Sequence, residues 1–173
     1  RIHASSEMIE ILERDIFNWA IYPRFSQLSN DDGPVMEYRE FERGAEIQAR
    51  HLTIKSVGVQ HPVSANGYLI SDGDGSIGIT GDTAETDEFW EVCNTTSDLK
   101  AIFVECAFPD ELVSLATVSE HLTPQRLSSE LSKLTDRKYP VYVINIKPMY
   151  REKVVKQLTT LSLENVEIMR VGK

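Results

Sequence analysis

The spacing of apolar residues changes character along the chain. Behind Ser5 and Ser6, either of which can cap a helix, Met8, Ile9, Ile11 and Leu12 recur at helical intervals. Residues 2–4, just before them, suit a short strand. Phe17-Asn18-Trp19-Ala20-Ile21-Tyr22-Pro23 is aromatic and ends in proline, which predicts an irregular packed segment. Ser29-Asn30-Asp31-Asp32-Gly33-Pro34 has the chemistry of a loop. Strands are then predicted over 35–41, 45–57, 64–70 and 76–80, with a hairpin turn at Asp72-Gly73-Asp74-Gly75. From there helices and strands alternate: helix 85–92, strand 101–104, helix 109–115, strand 141–146, helix 150–161 and strand 166–171. A further helix begins with Thr123 as N-cap and Pro124 at its first position, and buries Leu127, Leu131 and Leu134. Strands first and alternation afterwards make an α/β or α+β sandwich, read as a single domain over residues 1–173.

Composition narrows the partners. No apolar run approaches the roughly 20 residues of a membrane span, and no signal peptide is read at the start, so the expectation is a cytoplasmic protein with no membrane partner. A net charge of −9 disfavours a nucleic-acid polymer, whose binding is dominated by phosphate neutralisation. It leaves room for a small phosphate ester, because a bound cation reverses the local field. The two cysteines, Cys93 and Cys106, are too few for a disulfide scaffold and are expected buried and reduced. A calcium loop at Asp72 is excluded, since Ile77 and Thr83 stand where the glycine and the glutamate would be needed.

Three segments carry candidate chemistry. Asp82 follows an apolar strand in Gly81-Asp82-Thr83, where rigid backbone can fix a metal-binding carboxylate; alone, an Asp after a strand is more often a helix cap or turn residue. His61 precedes a strand that pairs with the one leading to Asp82, and is otherwise a loop histidine. His121 stands at the start of the Thr123-Pro124 helix, whose dipole lowers an imidazole pKa; it can serve as proton donor or as a packing residue.

In order along the chain, Phe17-Asn18-Trp19 with Pro23 and Phe25, His61-Pro62-Val63-Ser64 with Gly67-Tyr68, Gly81-Asp82-Thr83, Glu105-Cys106-Ala107-Phe108-Pro109, His121-Leu122-Thr123-Pro124 and Ile146-Lys147-Pro148 resemble the class II cyclic-nucleotide phosphodiesterases, which are similar to ribonuclease Z within the metallo-β-lactamase superfamily. The resemblance implies a four-layer αββα sandwich with two zinc ions. It implies His61 and Asp82 as metal ligands, Asp82 as the bridging carboxylate, and His121 as proton donor with Glu105 orienting it. It further implies a small cyclic nucleotide such as cyclic AMP as substrate, and a homodimer by analogy. Two features depart from the pattern. The His-x-His-x-Asp-His segment is absent, and Asn145 stands where the family has a metal-ligand histidine. His61 and Asp82 supply two ligands, fewer than the about three of a catalytic zinc site. The expectation is therefore an incomplete metallo-β-lactamase domain lacking its N-terminal part, inactive as this chain alone. A catalytically inactive binding or regulatory module and an RNA-processing hydrolase stand as alternatives.

Overall fold

The computed structural model describes residues 1–170; Val171, expected at the end of the last strand, lies outside them. The chain divides into two compact units, Arg1–Ala45 and Glu46–Lys173.

In the first unit, β1 (Ile2–Ala4) is followed by helix α1 (Ser6–Ile11), capped by Ser5, whose side chain accepts from the Met8 amide at 3.3 Å. Residues 29–34, expected as a loop, instead form the small ladder of β2 (Ser29–Asn30) and β3 (Gly33–Pro34), made possible by Gly33 at φ 115. The strand expected over 35–41 shortens to β4 (Tyr38–Glu40), parallel to β1. Residues 17–23 are irregular as expected but only partly packed. Phe17 meets Phe25 edge-on at 5.8 Å, whereas Trp19, Ile21 and Tyr22 are exposed. Asn18 holds this bend through its side-chain oxygen, which accepts from the Ala20 and Ile21 amides.

The second unit is built on one seven-stranded sheet. The extended run expected over 45–57 is a hairpin, β5 (Glu46–Ala49) and β6 (Leu52–Gly58), reversed at Arg50 in a left-handed conformation. Then come β7 (Asn66–Ser71), β8 (Ser76–Ile79), α2 (Glu88–Thr95), β9 (Leu99–Glu105), α3 (Val113–Val118), α4 (Pro124–Leu131), β10 (Val141–Ile144), α5 (Arg151–Leu161) and β11 (Val166–Ile168). Strands β5 to β8 pair antiparallel, whereas β8, β9, β10 and β11 run parallel in that spatial order. Each parallel crossover steps the same way, and right-handedness puts its helix on the same face of the sheet.

The main core lies under that helical layer. Ile102, Val104, Val141 and Val143 from the sheet meet Phe89, Trp90, Leu127, Leu131, Val154 and Leu158 from the helices. Phe89 is seated on two glycines: a Cβ built at Gly67 comes within 3.0 Å of its ring, and one at Gly78 within 3.1 Å. Thr123 makes no side-chain cap on α4, although Pro124 takes the first position as expected. The cap comes from elsewhere, with Asp110 accepting from the Gln125 amide at 3.0 Å. Cys93 and Cys106 are free and buried, and burial pushes the Cys93 thiol up to about 12 and the Cys106 thiol up as well. Among the described residues no helix is long and apolar enough to cross a membrane.

The parallel strands β8, β9 and β10 end side by side. In open α/β sheets ligands bind beyond the carboxyl ends of such strands. The segment joining β6 to β7 returns at the same edge, because Gly58 pairs with Asn66 and Tyr68 with Ile79. That edge therefore collects residues from four connections.

Candidate metal centre

Asp82 is delivered by the loop after β8. Gly81 turns it with φ 64, a left-handed conformation that favours glycine. Two bonds fix the loop from below: the Thr80 hydroxyl donates to the Gly81 carbonyl at 2.8 Å, and the Thr83 amide donates to Glu105 Oε1 at 2.8 Å. His61 is delivered by the segment after β6, stitched to the Asp82 loop where the Ala84 amide donates to the Gln60 carbonyl at 2.7 Å and the Gln60 amide to the Thr83 hydroxyl at 3.3 Å. His121 follows α3 and precedes α4, with its amide bonded to the Ala116 carbonyl at 2.9 Å.

The three side chains converge. One donor atom each from His61, Asp82 and His121 lie within 4.8 Å of one another. Among the described residues this is the one group of three or more such donors. The two rings meet edge-on with centroids 5.2 Å apart, and Phe108 closes the other side of His121 at 5.6 Å. His121, expected as a proton donor, thus stands together with the two expected ligands His61 and Asp82, and all three could hold a metal ion. The remaining histidines are not members of the group: His51 is exposed at the β5–β6 turn and His3 is exposed on β1.

Second contacts set which atoms face the centre. His61 Nδ1 lies 3.2 Å from the Glu120 carbonyl. A carbonyl only accepts, so Nδ1 carries the proton and Nε2 presents its lone pair. Glu120 reaches this position in a left-handed conformation, φ 51, and its side chain also accepts from Gln60 at 3.0 Å. His121 Nδ1 lies 2.6 Å from Glu105 Oε1, again leaving Nε2 toward the group. A histidine held this way by a carboxylate is the usual companion of a ligating imidazole.

Glu105 is fully buried at the end of β9. Burial pushes its carboxyl up to about 8, and the neighbouring charge of Asp82 acts the same way, against the amides of Thr83, Leu122 and Ala107. His121 is shifted down. The helix dipole gives that direction from sequence, but the main cause in the structure is burial, with Lys147 adding to it and Asp82 opposing.

Asn145 stands directly after β10 at φ 53, and its Nδ2 donates to Asp82 Oδ1 at 2.5 Å. The donor set fits one divalent ion. Two imidazoles and a carboxylate match the about three protein ligands of a catalytic zinc site, and both imidazoles already have their distal nitrogens tied. Glu120 is not singled out by the sequence, and Thr83 stands out only as part of Gly81-Asp82-Thr83. They act through backbone carbonyl and amide, which no residue type advertises.

No family model matches the chain. A Yersinia pestis protein named "Probable 3',5'-cyclic-nucleotide phosphodiesterase" is 26% identical over 176 residues, covering 87% of this chain and 50% of that protein. The chain thus spans about half the length of this curated relative. Among solved structures, the metallo-β-lactamase fold protein YhfI from Bacillus subtilis matches with TM-score 0.68 at 17% identity, over 93% of this chain and 61% of its own. Zn(2+)-bound PqqB from Methylobacterium extorquens matches with TM-score 0.71 at 9% identity, over 99% of this chain and 62% of its own.

Proposed function

We propose, starting from the metallo-β-lactamase fold that this chain has, that it forms the metal-binding and proton-handling part of a zinc-dependent phosphodiesterase acting on a 3',5'-cyclic nucleotide such as cyclic AMP. The observation that carries the reading is the convergence of His61, Asp82 and His121 at the carboxyl edge of the sheet. A divalent ion held there supplies Lewis acidity toward a phosphoryl oxygen and makes water a nucleophile at neutral pH. The residues of this chain do the rest. His61 and His121 turn Nε2 lone pairs to a common point, Glu120 and Glu105 hold the ring orientations, and Asp82 contributes the negative charge. The relative's name supplies the substrate class. The acidic chain favours a small diester over a nucleic-acid polymer. The reduced state of both thiols agrees with a cytoplasmic protein.

A second reading gives His121 the proton instead of the ion. It is favoured by the Glu105–His121 contact of 2.6 Å together with the carboxyl raised to about 8, which keeps a proton on the pair at neutral pH. In that reading His121 protonates the leaving oxygen, and His61 and Asp82 hold the metal.

The test is hydrolysis of cyclic AMP by the longest expressible form of the protein. With zinc loaded, 5'- or 3'-AMP appears, and a chelator stops its formation. No turnover of cyclic nucleotides with metal demonstrably bound overturns the proposal.

A further inference from the structure

We infer that Asn145 makes this a one-ion centre, because its side-chain amide occupies an oxygen of Asp82, the one carboxylate of the group, which two ions would otherwise share. The inference rests on the metal-binding reading above and specifies how many ions the site takes.

An amide turned toward a carboxylate must present its N–H, since its oxygen would meet another acceptor. At 2.5 Å the Asn145–Asp82 bond is a short, charge-assisted one. The amide nitrogen has no lone pair to offer a cation and carries positive partial charge, so a metal approaching that oxygen meets a repelling donor. The segment is also held in place. The Cys106 amide donates to the Ile144 carbonyl at 3.2 Å on one side of Asn145, and the Lys147 amide to the Ala107 carbonyl at 3.2 Å on the other. Asn145 itself sits at φ 53, a conformation asparagine tolerates better than most residues. Among the described residues no second group of three or more donors exists, so a second ion would draw on Asp82, whose Oδ1 the amide occupies.

The same bond makes Asn145 a positioning residue for the first ion. With Oδ1 held, the carboxylate cannot rotate freely, and its remaining acceptor capacity is fixed relative to His61 and His121.

Cobalt(II) and zinc titration, followed by calorimetry and by the visible d–d absorption of cobalt, tests this without reference to activity. The native protein takes up one equivalent. Asn145→Gly removes the amide while keeping a residue suited to positive φ. It weakens the ion by about 10- to 100-fold, the usual cost of losing a contact that orients a ligand, and shifts the cobalt spectrum. Two equivalents in the native protein overturn the inference and leave the phosphodiesterase reading standing. An unchanged affinity and spectrum in the glycine variant overturn the positioning role of Asn145. No uptake at all overturns both.

Discussion

His121→Ala weakens divalent-metal binding by more than about 100-fold, beyond what loss of an orienting contact alone costs. The substitution removes one of three converging donors and leaves His61 and Asp82, too few for a catalytic zinc site. Glu105→Gln is the informative companion. It keeps the shape and an acceptor for the His121 Nδ1–H but removes the carboxyl that takes on negative charge behind the ring once a cation is bound, and sets an amide N–H against the Ala107 amide from which Glu105 Oε2 accepts; the expected loss is about 10- to 100-fold in affinity. The pair of variants also separates the two readings of His121. If both bind zinc as tightly as the native protein while turnover falls, His121 is the proton donor and the ion belongs to His61 and Asp82. The measurement is a competition titration with a chromophoric chelator, with thermal unfolding recorded alongside to show that each variant is folded.

Phe89→Ala lowers the unfolding free energy by about 3–5 kcal/mol, the range for truncating a buried phenylalanine. Phe89 is 1% exposed and packs edge-on against Trp90 at 5.3 Å. Its ring fills the space that Gly67 and Gly78 leave on two adjacent strands, and neither glycine has a side chain to relax into the vacated volume. The reverse change tests the same interlock. Gly67→Ala places a methyl 2.9 Å from the Ile79 carbonyl and 3.0 Å from the ring, and is destabilising by about 1–3 kcal/mol through overpacking. Chemical denaturation of the three proteins reads both. The interlock matters for the centre because α2 begins just beyond the Asp82 loop. Glu130 grips that connection, accepting from the Thr86 amide at 2.9 Å and from Trp90 Nε1 at 2.6 Å.

Much of this was legible in the chain. The change from strand periodicity to alternating strands and helices gave the elements of the second half in their chain order, and Pro124 marked its helix. The elements that were misread turn on features that residue type does not carry. Arg50 reverses a hairpin with φ 59, yet arginine carries no turn signal, so 45–57 looked like a single strand. Residues 29–34 have loop chemistry and nevertheless pair across two residues a side. Trp19 and its neighbours look like core by type, but their bend is set by Asn18, and exposure is not written in residue identity.

The site divides along the same line. His61, Asp82, His121 and Glu105 were visible as residue types at the ends of elements. Their convergence was not, because it depends on strands β7, β8 and β9 turning their loops to one edge across dozens of residues. Asn145 was visible as a departure from the family pattern. Its bond to Asp82 was not, since that bond depends on the left-handed turn after β10. Glu120 was invisible, because it contributes a carbonyl.

The most direct test of the centre is the ring-nitrogen NMR spectrum of the four histidines during zinc titration. The account predicts that His61 and His121 each move at Nε2, saturating together, while His3 and His51 do not respond. A spectrum in which zinc leaves His61 and His121 unchanged, or moves His3 or His51 instead, contradicts it.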